Sequence, residues 1–229
     1  MGNELRSNEL VSGVVRRLDD GTLVVALGGV EAVVPPDEQV TGESFHVGDP
    51  FVGVVLSPED GGSLSRIAVS RTRPALVQRL LEAEVPEIRQ GLVVIRSLVR
   101  KPGVASKLTV SSPGSETDSV AVTKGPNGAH LEAVSRLLGG ENVDVVAFDD
   151  DLVTFVSNVV APARISRVTV DVVARTATLI VPDGDCKSAV GAKGVNVLLA
   201  AQVTGYRVEV IMESKAPENP GHHASYPAS

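Results

Sequence analysis

Between residues 9 and 71 the apolar positions fall in short runs cut by glycine, aspartate and proline. Residues 10–17 end at a turn through Asp19-Asp20-Gly21, and residues 23–27 run into Gly28-Gly29. Residues 30–34 stop at Pro35-Pro36, residues 51–56 follow Gly48-Asp49-Pro50, and residues 66–70 close the set. Valine-rich runs of that length, bounded by turn formers, read as strands. Five in succession point to a small closed barrel, with an open sandwich as the alternative. The pattern changes at Pro74. Residues 75–82 have helical spacing, with Pro74 suited to the first turn, and Val85-Pro86 breaks it. Strands are expected at 92–99 and 107–110, followed by a polar loop over 111–118. Asp149-Asp150-Asp151 precedes an apolar stretch at 152–156, where an acidic residue can cap a helix. Residues 164–172 and 174–181 look like paired strands.

Two glycine loops stand out against this pattern. Gly125-Pro126-Asn127-Gly128 opens an aliphatic segment with helical spacing at Leu131, Val134, Leu137 and Leu138. Gly191-Ala192-Lys193-Gly194 does the same with Val195, Leu198, Leu199 and Val203. Both segments end at glycine and enter a β-rich run, at 143–146 and 206–210. Glycine lets a helix–turn–helix bring its backbone against a phosphodiester strand, where a Cβ would collide. That is the content of the GXXG loop of a KH domain, which clamps about four nucleotides. One such spacing means little in a chain with 22 glycines, but two in matching contexts form a repeat.

Composition sharpens the cores and complicates the ligand. Of the 229 residues, 43% are hydrophobic but only 3% aromatic, so the cores must be valine, leucine, isoleucine and alanine. Cys186 is the one cysteine, which excludes an intrachain disulfide and suits a reducing cytoplasm. The start of the chain carries no apolar signal region, and no apolar run approaches the roughly 20 residues that span a bilayer. A cytoplasmic protein with no membrane partner is expected. The net charge is −7, whereas a phosphate binder usually shows a basic footprint. The acidity is uneven, however. Residues 1–73 carry 6 basic and 11 acidic side chains, while residues 151–212 carry 6 and 5.

Several stretches, in order, resemble the NusA family of bacterial transcription factors. Ser70-Arg71-Thr72-Arg73-Pro74 through Glu84-Val85-Pro86-Glu87-Ile88 is similar to the join between its S1 and first KH domains. Gly139-Gly140-Glu141-Asn142-Val143-Asp144, Phe155-Val156-Ser157-Asn158, Val181-Pro182-Asp183 and Leu199 to Tyr206 continue the likeness over nearly all of residues 9–212. The resemblance implies a β-barrel plus α/β architecture: an S1-type OB-fold barrel, then two tandem type II KH domains packed side by side. The expected boundaries are a tail at 1–8, the barrel at 9–73, KH domains at 74–148 and 149–212, and a disordered tail at 213–229. It further implies single-stranded nascent RNA as ligand, RNA polymerase and other Nus-type factors as partners, and a role in transcription elongation, termination or antitermination. The family usually begins with a further polymerase-binding domain, and this chain starts almost directly at the barrel. Asn127 stands where the family commonly has a long residue, Ala192-Lys193 where Lys-Glu is common, and Val195-Asn196-Val197-Leu198 where Gln-Asn-Ala-Arg is usual. Fewer cations mean fewer phosphate partners, so weaker or narrower RNA binding than the family's is expected.

The candidate RNA-binding residues are Lys124, Gly125, Pro126, Asn127 and Gly128 at the first loop, and Gly191, Ala192, Lys193, Gly194 and Asn196 at the second. Lys193 can set an ammonium on phosphate as a point charge, or simply be solvated. Asn127 suits either a phosphate or a tight turn, and Asn196 either a base edge or a solvated helix face. On the barrel, Phe45 and His46 lie in a loop and are candidates for base stacking, whereas Phe51 reads as core. Arg164, Arg167 and Arg175 read as surface charges. No GxxxxGK[ST] occurs, so neither loop is a nucleotide P-loop, and no catalytic residues, cofactor or metal site are expected. His222-His223 and Asp149-Asp150-Asp151 read as solvated residues rather than metal ligands. A monomer is expected. Two other functions fit the same residues: a protein-interaction adaptor with reduced RNA binding, and an RNA-binding factor of ribosome assembly or translation.

Overall fold

A computed structural model of the chain describes residues 5–57, 67–114, 116–217 and 225–226. Strands β1 (Leu10–Asp19), β2 (Thr22–Leu27), β3 (Val30–Val34), β4 (Pro50–Val55) and β5 (Ile67–Ser70) close a barrel in the order β1-β2-β3-β5-β4. All pairs are antiparallel except β3 with β5. Alternation does the sorting: Leu23, Val25 and Leu27 on β2 and Ala32 and Val34 on β3 point inward with Val11, Val15, Phe51, Val55 and Val69. β1 is long enough to pair with both β2 and β4, and its register slips between Val15 and Arg17, a bulge that bends it around the barrel. At Gly13 a Cβ would stand 2.1 Å from the Ala26 carbonyl oxygen, so strand closure there requires glycine.

Helices α1 (Pro74–Glu84) and α2 (Pro86–Arg89) each begin with proline in the first turn, where its missing N–H costs nothing. Strands β6 (Val94–Lys101) and β7 (Ala105–Ser111), helices α3 (Ser119–Lys124) and α4 (Ala129–Leu137), and strand β8 (Asn142–Ala147) follow, with the sheet ordered β6-β7-β8. The same succession of helix, two strands, two helices and a strand then recurs. It comprises α5 (Leu152–Val159), β9 (Arg167–Asp171), β10 (Thr176–Val181), α6 (Cys186–Val190), α7 (Val195–Thr204) and β11 (Arg207–Met212). In this second copy β10 is central, antiparallel to β9 and parallel to β11. The two copies are the tandem KH domains.

The chain divides into two compact units. The first holds the barrel, α1, α2, the first glycine loop and α4, and buried ion pairs knit it together. Arg71, 3% exposed, pairs with Glu43 and donates to the Val52 carbonyl of β4 at 2.9 Å. It also donates to the Leu137 carbonyl at 3.1 Å, one of the acceptors that the end of α4 leaves without a helical partner. Arg100 and Glu141, 1% and 0% exposed, pair at 2.9 Å. Arg100 also donates to the Arg71 and Arg73 carbonyls, and Glu141 accepts from the Gly103 N–H and the Ser106 hydroxyl. Each of these charges is thus paired and further hydrogen-bonded, the condition under which buried charge is tolerated.

The core of the second unit comprises Val146, Phe155, Val156, Val159, Val160, Val168, Ala177, Leu179, Ala200, Val203 and Val208. Asp151 caps α5 by accepting from the Thr154 N–H at 2.9 Å and hydroxyl at 2.7 Å, which holds its carboxyl below the usual range. The acidic triplet is therefore a helix start. Lys107 of β7, 1% exposed, pairs with Asp144 of β8 and donates to the Val159 carbonyl at the end of α5. Residues 213–229, read from sequence as a disordered tail, depart from that reading at two points. Glu213–Lys215 forms a 3-10 turn whose Ser214 N–H is held by Asp183, and β12 (Ser225–Tyr226) pairs with β9. His222-His223 lie outside the described residues. Among the described residues no helix is long and apolar enough to cross a membrane.

Candidate nucleic-acid interface

Each glycine loop is a tight turn between two helices, α3 and α4 in the first case, α6 and α7 in the second. Their backbones coincide. Gly125, Asn127 and Gly128 have φ, ψ of 73°, 175°; 53°, 26°; and 79°, 13°. Gly191, Lys193 and Gly194 have 75°, 171°; 51°, 30°; and 74°, 14°. In both turns the N–H of the second glycine donates to the carbonyl of the first, at 3.1 and 3.2 Å. Asn127 and Lys193 are left-handed residues without the freedom of glycine. Asparagine tolerates this through its short polar side chain, whereas lysine bears a cost of roughly 1 kcal/mol. Such strain collects at functional turns. The two central residues of each turn are exposed, Pro126 and Asn127 in one and Ala192 and Lys193 in the other. Each turn leads into the N-terminus of its second helix, the positive end of the helix dipole.

The expectation from sequence is that all four glycines make room for a ligand backbone; within the protein their surroundings differ. A Cβ on Gly125 would instead stand 2.5 Å from the ring of the chain's own His130, and one on Gly191 2.8 Å from the Cβ of Asn196. The first glycine of each turn is required by the protein's internal packing. Gly128 and Gly194 have no atom within 4 Å of a built Cβ, and there the positive φ alone calls for glycine. The open side lies at the second glycine.

Lys124 is exposed at the last residue of α3, beside Gly125, and Lys193 is exposed within its turn, so each turn carries one adjacent ammonium. Asn196 is turned inward: its amide donates to the Ala189 carbonyl at 2.9 Å, tying α7 to the end of α6. His130 occupies the same register in the first turn. The sequence reading missed it, although its position two residues beyond the second glycine, matching Asn196, was a usable signal. Arg164 is committed to Asp185 at 2.9 Å and Arg207 to Glu209 at 3.0 Å. On the barrel, Phe45 is half-buried, its ring 5.9 Å from that of the buried Phe51 and covered by the Arg71 guanidinium at 5.7 Å. One face is thus taken by the guanidinium and the ring leans on Phe51, which disfavours base stacking there. His46 is exposed beside Asp49.

Residues 71–148 match the NusA-like first KH domain and residues 152–218 the NusA-like second KH domain. Curated relatives named transcription termination/antitermination protein NusA align along 93% of this chain. Those of Halalkalibacterium halodurans and Bacillus subtilis are 36% identical over 213 residues, and that of Mycobacterium bovis is 36% identical over 221. The chain spans 56%, 57% and 64% of the length of these relatives. The barrel, the doubled KH arrangement and these matches make the chain a member of the NusA family.

Proposed function

We propose that this chain binds single-stranded RNA through its two GXXG turns and acts on transcription termination and antitermination, the activity for which its relatives are named. The observation that carries the reading is the coincidence of the two exposed turns in backbone geometry, each with one exposed lysine beside or within it. A turn of this kind admits a phosphodiester backbone at the second glycine, where the built Cβ meets open space. Lys124, Pro126, Asn127 and Gly128 serve the first groove, and Ala192, Lys193 and Gly194 the second. Gly125, Gly191 and Asn196 hold the turns in shape. Two modest grooves on one chain raise avidity beyond that of either alone. The protein works as a cytoplasmic monomer without catalytic activity, with RNA polymerase and other transcription factors as its protein partners.

Replacing Ala192-Lys193 by Asp-Asp tests the assignment. The variant should bind single-stranded RNA more weakly, and its dependence of log affinity on log salt should flatten by about one for each phosphate that is no longer neutralised. Unchanged affinity and salt slope would refute the groove.

A further inference from the structure

The helices that follow the two turns differ on one face. Gly128 and Gly194 cap α4 and α7, and a Cβ on either would meet nothing within 4 Å. Four residues on, little more than one helical turn, the chain returns to the capped side, at Glu132 on α4 and at Leu198 on α7. Four more lead to Arg136 and Gln202. All four side chains are exposed, Leu198 by 46%. The face above the first turn is thus an ion pair, Glu132 with Arg136 at 3.3 Å. The face above the second turn carries no charge and starts with a leucine. The buried residues of α7 are Leu199, Ala200 and Val203, so Leu198 stands outside the stripe that packs into the core.

One exposed leucine is ordinary on a protein surface, and position is what singles this one out. The residue before a helix cap and the fourth residue of the helix are the two that meet across a helix start. In α7 these are Lys193 and Leu198, and in α4 they are Asn127 and Glu132. The leucine therefore stands beside the exposed ammonium of the second turn and over its open glycine. We infer that Leu198 is a base-contacting residue of the second turn, which seats an unpaired nucleobase on its side chain when a phosphate lies at Gly194, and that the first turn, with Glu132 at that position, lacks this contact. The inference rests on the RNA-binding reading above and names the part of the RNA that this side chain holds. The faces of an unpaired base are uncharged and gain by leaving water against aliphatic carbon. Lys193 and Leu198 then meet phosphate and base with two adjacent side chains of unlike chemistry. A carboxylate in the leucine's place offers no apolar surface and repels phosphate. Contact through Leu198 displaces no counterion, so its share of the affinity does not vary with salt.

The test titrates a fluorescein-labelled, mixed-sequence single-stranded RNA oligonucleotide with the full chain, by fluorescence anisotropy over a series of salt concentrations. Leu198→Ala removes aliphatic surface and no charge. Its affinity should fall about three- to tenfold at every salt concentration, the scale of one to two methylene groups returned to water. Its slope of log affinity against log salt should stay that of wild type, whereas Lys193→Ala should flatten the slope. Methyl NMR of leucine-labelled wild-type protein reads the contact directly. The Leu198 methyl signals, assigned by their loss in Leu198→Met, should move upfield as RNA is added, because a base stacked on them imposes its ring current. Leu198→Ala binding as tightly as wild type, or weakening with a flattened slope, overturns the inference and leaves the RNA reading standing. So do Leu198 methyl signals that stay in place while RNA saturates the protein, and this measurement decides alone should Leu198→Ala lose its fold by circular dichroism. Absence of wild-type binding at every salt concentration overturns both.

Discussion

Alanine at Gly191 and alanine at Gly194 should do unequal damage, although both residues have positive φ and lie three positions apart. Gly191 has φ 75° and ψ 171°, a region essentially reserved for glycine, where a side chain costs about 1–3 kcal/mol. The new Cβ would also stand 2.8 Å from the Asn196 Cβ and 2.9 Å from its backbone nitrogen, atoms that cannot swing aside. Helix α7 must move, and the hydrogen bond from Asn196 to the Ala189 carbonyl, worth about 1 kcal/mol, goes with it. The total is about 2–4 kcal/mol. Gly194 has φ 74° and ψ 14°, ordinary left-handed geometry that costs alanine about 1 kcal/mol, and its Cβ meets nothing within 4 Å. Urea unfolding followed by circular dichroism, with hydrogen exchange of the α6 and α7 amides, reads both costs. Gly191→Ala should lower the midpoint more and open the α6–α7 amides. Gly194→Ala should leave them largely protected, while its methyl group obstructs RNA on the open side. Equal costs, or the reverse order, would refute the division of labour between the glycines. Gly125→Ala and Gly128→Ala should repeat the contrast, with His130 as the obstacle.

Two further expectations concern the first unit. Arg100→Met leaves the Glu141 carboxylate buried without its cation and should cost about 3–5 kcal/mol in urea unfolding, whereas a drop of under about 1 kcal/mol would show the pair to be dispensable. Glu38 is pushed up by burial, but hydrogen bonds from Arg73, Ser70 and Thr72 outweigh this and hold its carboxyl below the ordinary value of 4.5. A depressed folded-state pKa contributes stability that is complete above that value and is lost as pH falls through the folded one. Unfolding midpoints measured across the acid range should therefore drop more steeply in wild type than in Glu38→Gln, and parallel curves would contradict the assignment.

Much of the fold is legible in the sequence because its signals are local. The barrel strands lie within a residue or two of the expected runs, since each alternates inward and outward and is ended by glycine, proline or aspartate nearby in sequence. The doubled glycine turn is legible for the same reason, as is the cap at Asp151. What escapes depends on partners distant in the chain. Arg100 and Glu141 are 41 residues apart, and Arg71 reaches 66 residues ahead to Leu137. Charged residues in such places look like surface until the fold supplies the opposite charge. Lys107 lies in an expected strand with no hint that its ammonium is buried between Asp144 and Val159. Phe45 looks free because its loop is polar, and only the fold brings Phe51 and Arg71 to its ring. The need for the first glycine is likewise invisible, because it arises from a side chain five residues later.

Arg71 sets where this polypeptide can be divided. By sequence pattern the barrel ends and the helices begin at residue 73, the natural place to cut a piece for separate study. Yet one guanidinium there holds a barrel strand with one hand and the last turn of a KH helix with the other. Its neighbour carbonyls at 71 and 73 anchor Arg100 in turn. A fragment begun at residue 74 would keep the buried Arg100–Glu141 pair but strip the guanidinium of its two carbonyl acceptors, and would leave a helix end with a bare acceptor. The barrel is therefore a cornerstone of the first KH domain, and the two should be inherited, expressed and melted as one piece.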